Sequence, residues 1–387
     1  MARPQTLDEF KGQKKIKPRI EMSMRSAKLK GDAFPHTLLV GPAGLGKTTL
    51  AQVIANEMKS QCFTYMGPGI KTRDDINQIV QAIVSVLSPD NCKVCGDSQK
   101  KSREDAFAFG EVEPCKHNGG YAKDGEVVDL DLITPVVVFI DEIHRVSTKL
   151  QEIMYTMIED RIYYTGEKDY DGKEMREWLP LFTLIGATTL AGNLSKPMID
   201  RFRMVLNFEP YTPEECIDIV KEAIGEEGMT CSKNAALEIG KRTGGVPRRV
   251  IAMAKNAVDV AISRESRKIT SSVVGEMFKM HGIDKLGFND IHRRELQILF
   301  ENTGQPMGIA GIALAINESD KMLAEQIEPK LIQEKMIIRT PRGRMISEAG
   351  IEYIKRFMRP GTKSGAGSRV MKNEQKYVPL ILDKKEE

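Results

Sequence analysis

No apolar run in this 387-residue sequence approaches the roughly 18 residues that a membrane-crossing helix needs. Nor does the chain open on the basic-then-apolar pattern of a secretion signal. The expectation is a cytoplasmic protein. Charge of one sign is scarce as well: the formal net charge is +3, too small by itself to argue for nucleic acid. Cysteines number only six, and in a reducing compartment clustered thiols suggest a metal before a disulfide. No internal repeat is found, so the fold is not a repeat array. What remains is an ordinary soluble composition, 41% hydrophobic and 29% charged. At roughly 100–200 residues per domain it allows two or three domains.

Residues 38–49 organise the rest. An apolar run, Leu38 to Val40, enters a glycine-rich turn and then a helix-forming stretch, Leu50 to Met58. The turn from Gly41 to Thr48 fits G-x-x-x-x-G-K-T, the phosphate-binding loop. Gly41, Gly44 and Gly46 leave room for backbone N–H groups to wrap a polyphosphate. The following helix points its positive end at the phosphates. Lys47 is expected to reach the β- and γ-phosphates of ATP, and the Thr48 hydroxyl to hold Mg²⁺.

A second buried strand, residues 135–140, ends in Asp141 and Glu142. One carboxylate at a strand tip can bind Mg²⁺, here Asp141, and the next can activate the attacking water, here Glu142. A third, residues 181–186, runs out to Thr188 and Thr189. Other strand and helix expectations are a strand at 63–66, a helix at 74–87, a helix at 149–159 and a hairpin at 162–178 turning near Gly172. From Tyr211 the strand–helix alternation stops. Helices are expected at 213–226, 233–243, 247–264 and 270–280, then at 290–302, 308–317 and 320–334. A strand pair, 336–339 and 344–346, closes what reads as a winged helix. Lys335, Arg339, Arg342 and Arg344 form a basic cluster there with only Glu334 beside it. The expected division is an α/β nucleotide-binding domain over 1–210, a helical domain over 211–283, a winged-helix domain over 284–358 and a flexible tail over 359–387.

Residues 38–58, the run VFIDEIHRVS at 138–147 and the run TLIGATT at 183–189 resemble the RuvB family. These are AAA+ ring motors that drive Holliday-junction branch migration. The likeness continues at 3–10, 200–202, 211–215, 245–248 and the run RTPRGR at 339–344, and it spares only 88–131 and the tail. It implies an AAA+ P-loop ATPase domain with a parallel sheet, a helical lid and a C-terminal winged helix. It also implies a hexameric ring, double-stranded DNA at four-way junctions, and a RuvA-like partner. By position, Ala2 and Arg3 would border the adenine pocket, and Gly44, Gly46, Lys47, Thr48 and Thr49 would bind phosphate and Mg²⁺. Glu159, Asp160 and Arg161 match a segment that approaches nucleotide. Thr188 or Thr189 matches sensor 1, Arg248 sensor 2, and Tyr211 a nucleotide-contacting tyrosine. Arg201 matches the arginine finger that completes a neighbour's site, a task suited to a planar, permanent charge. Arg339, Arg342 and Arg344 would track DNA phosphates without reading bases. The chain departs from the pattern at Ala43, Leu190 and Arg203, and the last leaves Arg203 as a second arginine beside the finger. An ATP-switched clamp-loader type of assembly factor uses the same ATPase parts, but usually ends in a helical collar. An inert nucleotide-binding scaffold fits poorly with intact Lys47, Asp141 and Glu142.

Residues 88–131 have no counterpart in the resemblance. Cys92, Cys95, Cys115 and His117 supply four soft ligands, the number a closed tetrahedral Zn²⁺ site needs. So polar a segment lacks an apolar core, and a metal would give it one. Metal analysis of the purified chain should find about one zinc per chain, lost in Cys95→Ser. A wild-type chain without zinc ends this reading.

Overall fold

The computed structural model describes residues 3–85, 136–168, 170 and 172–358. The chain divides into two compact units, one ending at Val274 and the other beginning at Gly275.

The first unit is built on a five-stranded parallel sheet. Its strands are β1 (Thr37–Val40), β2 (Gln61–Met66), β3 (Val136–Asp141), β6 (Phe182–Thr188) and β7 (Met204–Asn207), in the order β2-β3-β6-β1-β7. Between β3 and β6 the chain makes an antiparallel hairpin of β4 (Ile162–Lys168) and β5 (Glu174–Trp178), with an irregularity between Tyr164 and Lys168. Parallel neighbours need crossovers long enough for a helix, and the helices cover both faces. Leu38, Val138, Ile140 and Leu184 pack with the helices Arg73–Val84 and Thr148–Glu159. The alternate positions Leu39, Phe139 and Ile185 are equally buried, as strand geometry requires for the opposite face, where the helix Lys47–Glu57 lies. All seven residues of β6 are buried, including Thr183, whose hydroxyl donates to the Phe34 carbonyl at 2.6 Å. The helix Arg73–Val84 opens on a capping box, Thr72 with Asp75, worth about 1 kcal/mol.

The helices Pro213–Gly225, Lys233–Arg242 and Pro247–Ser263 follow in the same unit. Each begins at a recognisable signal: the Thr212/Glu215 capping box, the Ser232 cap, and proline in the first turn. A two-stranded parallel pairing of β8 (Thr230–Cys231) with β9 (Lys268–Ile269) was not foreseen. Strands of two residues carry no periodicity to detect.

The second unit has the winged-helix arrangement. The helices Asp290–Glu301 and Ile309–Ile316 precede a segment that runs from Asp320–Met322 through a π turn, Leu323–Ile327, into Glu328–Gln333. The hairpin β10 (Ile337–Thr340) and β11 (Gly343–Ile346) follows, then the helix Glu348–Met358. Leu296, Leu299, Ile312, Leu331, Ile337 and Ile354 fill its core. The hairpin corrects the expected strand limits: Thr340 pairs with Gly343, leaving Pro341 and Arg342 as a two-residue turn. To the local basic cluster beside Glu334 the structure adds an acid from farther away along the chain. Glu328, fully buried, lies under the hairpin and binds both Arg339 and Arg344. Its distance in sequence from the wing hid it.

A second acid, Glu295, is buried with both carboxylate oxygens unpartnered. Burial first, and the Glu328 charge second, push its carboxyl up to about 8, against the lowering influence of Arg344 and Arg339. A group whose pKa is higher folded than unfolded stabilises the fold while protonated. That contribution is complete below the ordinary value near 4.5 and fades as pH rises through about 8. The melting temperature of the chain's wing-bearing unit should therefore fall between about pH 5 and about pH 8. Glu295→Gln should flatten that fall by at least about 4 °C, measured by thermal unfolding across that range. Identical pH slopes in the two proteins would count against a protonated Glu295.

Candidate functional site

The parallel register brings the three motif-bearing strands to one edge. Val40 is opposite Thr188, and Ile140 is opposite Gly186. The phosphate loop begins there, with the Gly41 N–H bonded to the Thr188 carbonyl at 3.1 Å. Gly44 and Gly46 take φ of 80° and 95°, in the region that favours glycine. Gly44 is doubly constrained, since a Cβ there would stand 3.0 Å from Val246 and 3.3 Å from Arg248. Lys47 is buried, and its ammonium donates to the carbonyls of Gly41 and Pro42 at 2.7 and 2.9 Å. Burial lowers its pKa, while the charges of Asp141 and Glu142 raise it and that of Arg248 lowers it again.

The acids lie where the sequence places them. The Thr48 hydroxyl is 3.4 Å from Asp141 Oδ2, and Asp141 Oδ1 accepts the Glu142 N–H at 2.9 Å. Two hard oxygen donors side by side suit Mg²⁺, which prefers few protein ligands. Glu142 holds φ of 52°, a conformation that costs a non-glycine residue about 1–3 kcal/mol and marks a site whose surroundings enforce it. Thr189 Oγ1 donates to Glu142 Oε2 at 3.5 Å. Thr188 is buried and points instead to His144 Nδ1, at 3.0 Å. The two threonines are thereby separated, with Thr189 at the acid and Thr188 behind it.

His144 is the residue that motif reading missed. Its Nε2 lies 3.3 Å from Glu142 Oε2. Thr188 Oγ1 accepts from the Leu190 N–H at 3.0 Å, which frees its own hydrogen for His144 Nδ1. Because a carboxylate can only accept, an Nε2–H facing Glu142 fits both contacts of the ring. Its only sequence signal is its place two residues after the acid pair.

A cavity of ≈ 630 Å³ adjoins the loop, lined by Arg3, Phe10, Gly46, Thr49, Tyr211 and Ile251 among others. That is the size of a small-molecule pocket. Tyr211 is buried, which pushes its hydroxyl pKa up, and its N–H donates to the Gly245 carbonyl at 2.8 Å. Gly12, at φ 70°, passes so close to the ring that a Cβ would lie 2.2 Å from it. The Arg248 N–H reaches the Gly44 carbonyl at 3.4 Å, so the helical part of this unit touches the phosphate loop directly. Ala2 lies outside the described residues.

Arg201 and the segment Glu159, Asp160 and Arg161 are elsewhere. Arg201 pairs with Glu159 at 2.8 Å, donates to the Pro197 carbonyl at 2.8 Å and stacks over the Tyr155 ring at 4.2 Å. The pair is partly exposed, a class worth about 0–1 kcal/mol, so it holds the guanidinium only weakly. Asp160 and Arg161 are exposed beside it. Arg203 lines a separate groove with Arg19, Lys30 and Asp32. In the second unit Arg342 is exposed at the hairpin tip, and Arg339 and Arg344 face each other across the two strands. Cys92, Cys95, Cys115 and His117 lie outside the described residues, as does the tail.

Comparison with known proteins agrees with this geometry. Residues 2–90 and 122–208 match the Holliday junction DNA helicase RuvB P-loop domain, and residues 285–355 match the RuvB C-terminal winged helix domain. The chain belongs to the RuvB family. The Holliday junction branch migration complex subunit RuvB of Pseudothermotoga lettingae is 33% identical over 91% of this chain and 89% of its own. That of Campylobacter lari is 33% identical over 91% of each. The solved Thermotoga maritima RuvB Holliday junction branch migration motor is similar with a TM-score of 0.70 at 29% identity, over 91% of this chain and 98% of that one. The winged-helix match favours the RuvB reading over a clamp loader. The P-loop match leaves out residues 91–121, which contain all four metal-ligand candidates. In this RuvB-family chain that stretch interrupts the P-loop match.

If His144 holds Glu142 in place, His144→Ala should slow ATP turnover about tenfold, a loss of about 1.4 kcal/mol, with ATP binding nearly unchanged. Steady-state turnover and nucleotide titration measure the two quantities; equal turnover in variant and parent removes His144 from the site.

Proposed function

We propose that this chain is an ATP-driven motor of the RuvB type that moves Holliday junctions along double-stranded DNA in recombination and repair. The single observation that carries it is the convergence of Lys47, Thr48, Asp141, Glu142 and Thr189 at one sheet edge, in a chain that also bears the family's winged helix. Backbone amides of the loop, with Lys47 and Thr49, hold the phosphates, and Arg3, Ala2 and Tyr211 border the base. Glu142 orients and deprotonates the attacking water, held by Thr189. Arg248 approaches the γ-phosphate from the helical domain, 211–283. Thr48 and Asp141 would hold Mg²⁺, which would supply charge neutralisation on the phosphates.

Arg201 and the neighbouring Glu159, Asp160 and Arg161 serve the site of the next subunit, so hydrolysis requires a ring, a hexamer by family resemblance. The Arg201–Glu159 pair, more than half exposed on the Glu159 side, adds only about 0–1 kcal/mol to the hold of the Tyr155 ring and the Pro197 carbonyl on Arg201. The hairpin β4–β5, with Met175 and Trp178 exposed, is the surface for a RuvA-like partner. By family resemblance the motor works in the cytoplasm; the described residues include no helix long and apolar enough to cross a membrane. Arg339, Arg342 and Arg344 meet DNA phosphates from the wing.

ATP-dependent unwinding of a synthetic four-way junction, alone and with a RuvA-type protein, tests the motor. If junction DNA neither stimulates turnover nor is processed, the reading fails. Glu142→Gln should still bind ATP while turnover falls by about a hundredfold or more.

A further inference from the structure

The wing's two inner arginines are not free cations waiting for phosphate. Arg339 binds Glu328 through Nε at 2.9 Å and Nη2 at 2.5 Å, and Arg344 through Nε at 2.6 Å and Nη2 at 3.2 Å. Both strands of the hairpin are thus tied by one carboxylate that comes from a different element, the helix Glu328–Gln333. Glu328 is fully buried, whereas the side chains of Arg339 and Arg344 are 49% and 20% exposed. The charge sits inside and its partners lead outward.

We propose that Glu328 is a positioning residue for DNA binding, holding the forks of Arg339 and Arg344 so that their remaining nitrogens meet backbone phosphate together. The proposal rests on the wing being the DNA-contacting surface. Three features carry it. The bonds to Glu328 use Nε and Nη2 of each arginine, leaving each Nη1 outside the clamp. A guanidinium can bridge two anions in this way because its donors form a rigid plane. Arg339 and Arg344 are also directly cross-strand, so one carboxylate sets both directions at once. Finally, Glu295 lies buried behind Glu328 and feels Glu328, Arg344 and Arg339. Pulling the arginines fully away would leave the buried Glu328 carboxylate without counter-charge beside the unpartnered Glu295, a costly state in a dry interior. The clamp therefore keeps the arginines where they are and offers only their outer edges.

The test turns on a difference of sign. Glu328→Gln makes the wing more positive by one charge. If net charge alone governed binding, the variant would bind duplex DNA more tightly and its salt dependence would steepen by about 0.9 in log–log slope. If the clamp orients the arginines, the full chain should instead bind a fluorescent duplex about fivefold more weakly, with a slope shallower by about one. Tighter or unchanged binding overturns the proposal. A role confined to folding would lower the melting temperature without moving either quantity well below it. Should Glu328→Gln fail to fold, Arg339→Lys with Arg344→Lys keeps both charges but removes the forks. The same weakening is expected, and parental affinity in that double variant overturns the proposal equally. Arg342→Ala and Arg339→Ala separate the two layers. If neither weakens duplex binding, the wing is not the DNA surface, whereas weakening there with tighter binding in Glu328→Gln defeats the clamp alone.

Discussion

The nucleotide site depends on the parallel direction of five strands. With every strand running the same way, β1, β3 and β6 all discharge their following residues at one edge. Because β6 lies between β1 and β3, Thr188 and Thr189 stand between the phosphate loop and the acids. Reversing any one of the three would carry its polar end to the far side of the sheet. The Gly41–Thr188 backbone bond fixes this alignment at the point where the loop begins. Ligands in open α/β sheets bind at such carboxyl ends, and here the crossing order explains why three distant segments can act together.

Charge is handled differently in the two units. Lys47 is buried and drawn between opposing influences, burial favouring its neutral form and the two nearby acids its charged form. In the winged helix, Glu328 is buried with two arginines, and Glu295 stays unpaired behind it. Burying a charge costs several kcal/mol unless it is well partnered, which the two arginines do for Glu328, while Glu295 avoids the cost by holding its proton up to about pH 8. Arg201 is the contrast. Its pair with Glu159 is partly exposed, and its place is set as much by the Tyr155 ring and the Pro197 carbonyl.

Much of the fold was legible because burial leaves periodic text. The uninterrupted apolar run Val136–Ile140 of β3 and the mostly apolar β6 announced central parallel strands, and the spacing of Ile76, Ile79, Val80 and Ile83 announced a helix. Boundaries moved by one to three residues where caps rather than hydrophobicity decide them. The short β8–β9 pairing was invisible, since two residues have no period. Of the site, Lys47, Thr48, Asp141 and Glu142 were readable from motifs that combine local geometry with chemistry. His144 was not, because its importance lies in a contact with Thr188, 44 residues away in sequence. Gly12 was missed for the same reason: nothing nearby in the sequence says that the Tyr211 ring will press against it.

The sequence by itself determined the phosphate loop, the acidic strand end, the alternation of strand and helix, and the wing hairpin. Each is encoded within a dozen or so contiguous residues, where backbone preference and side-chain period act directly. Only the tertiary structure decided which threonine meets Glu142, which acid holds Arg201, and that the wing arginines share a buried Glu328. Those outcomes depend on contacts between segments whose separation along the chain is unrelated to their distance in space, and on burial, which makes a glutamate from another element the shared partner of both wing arginines.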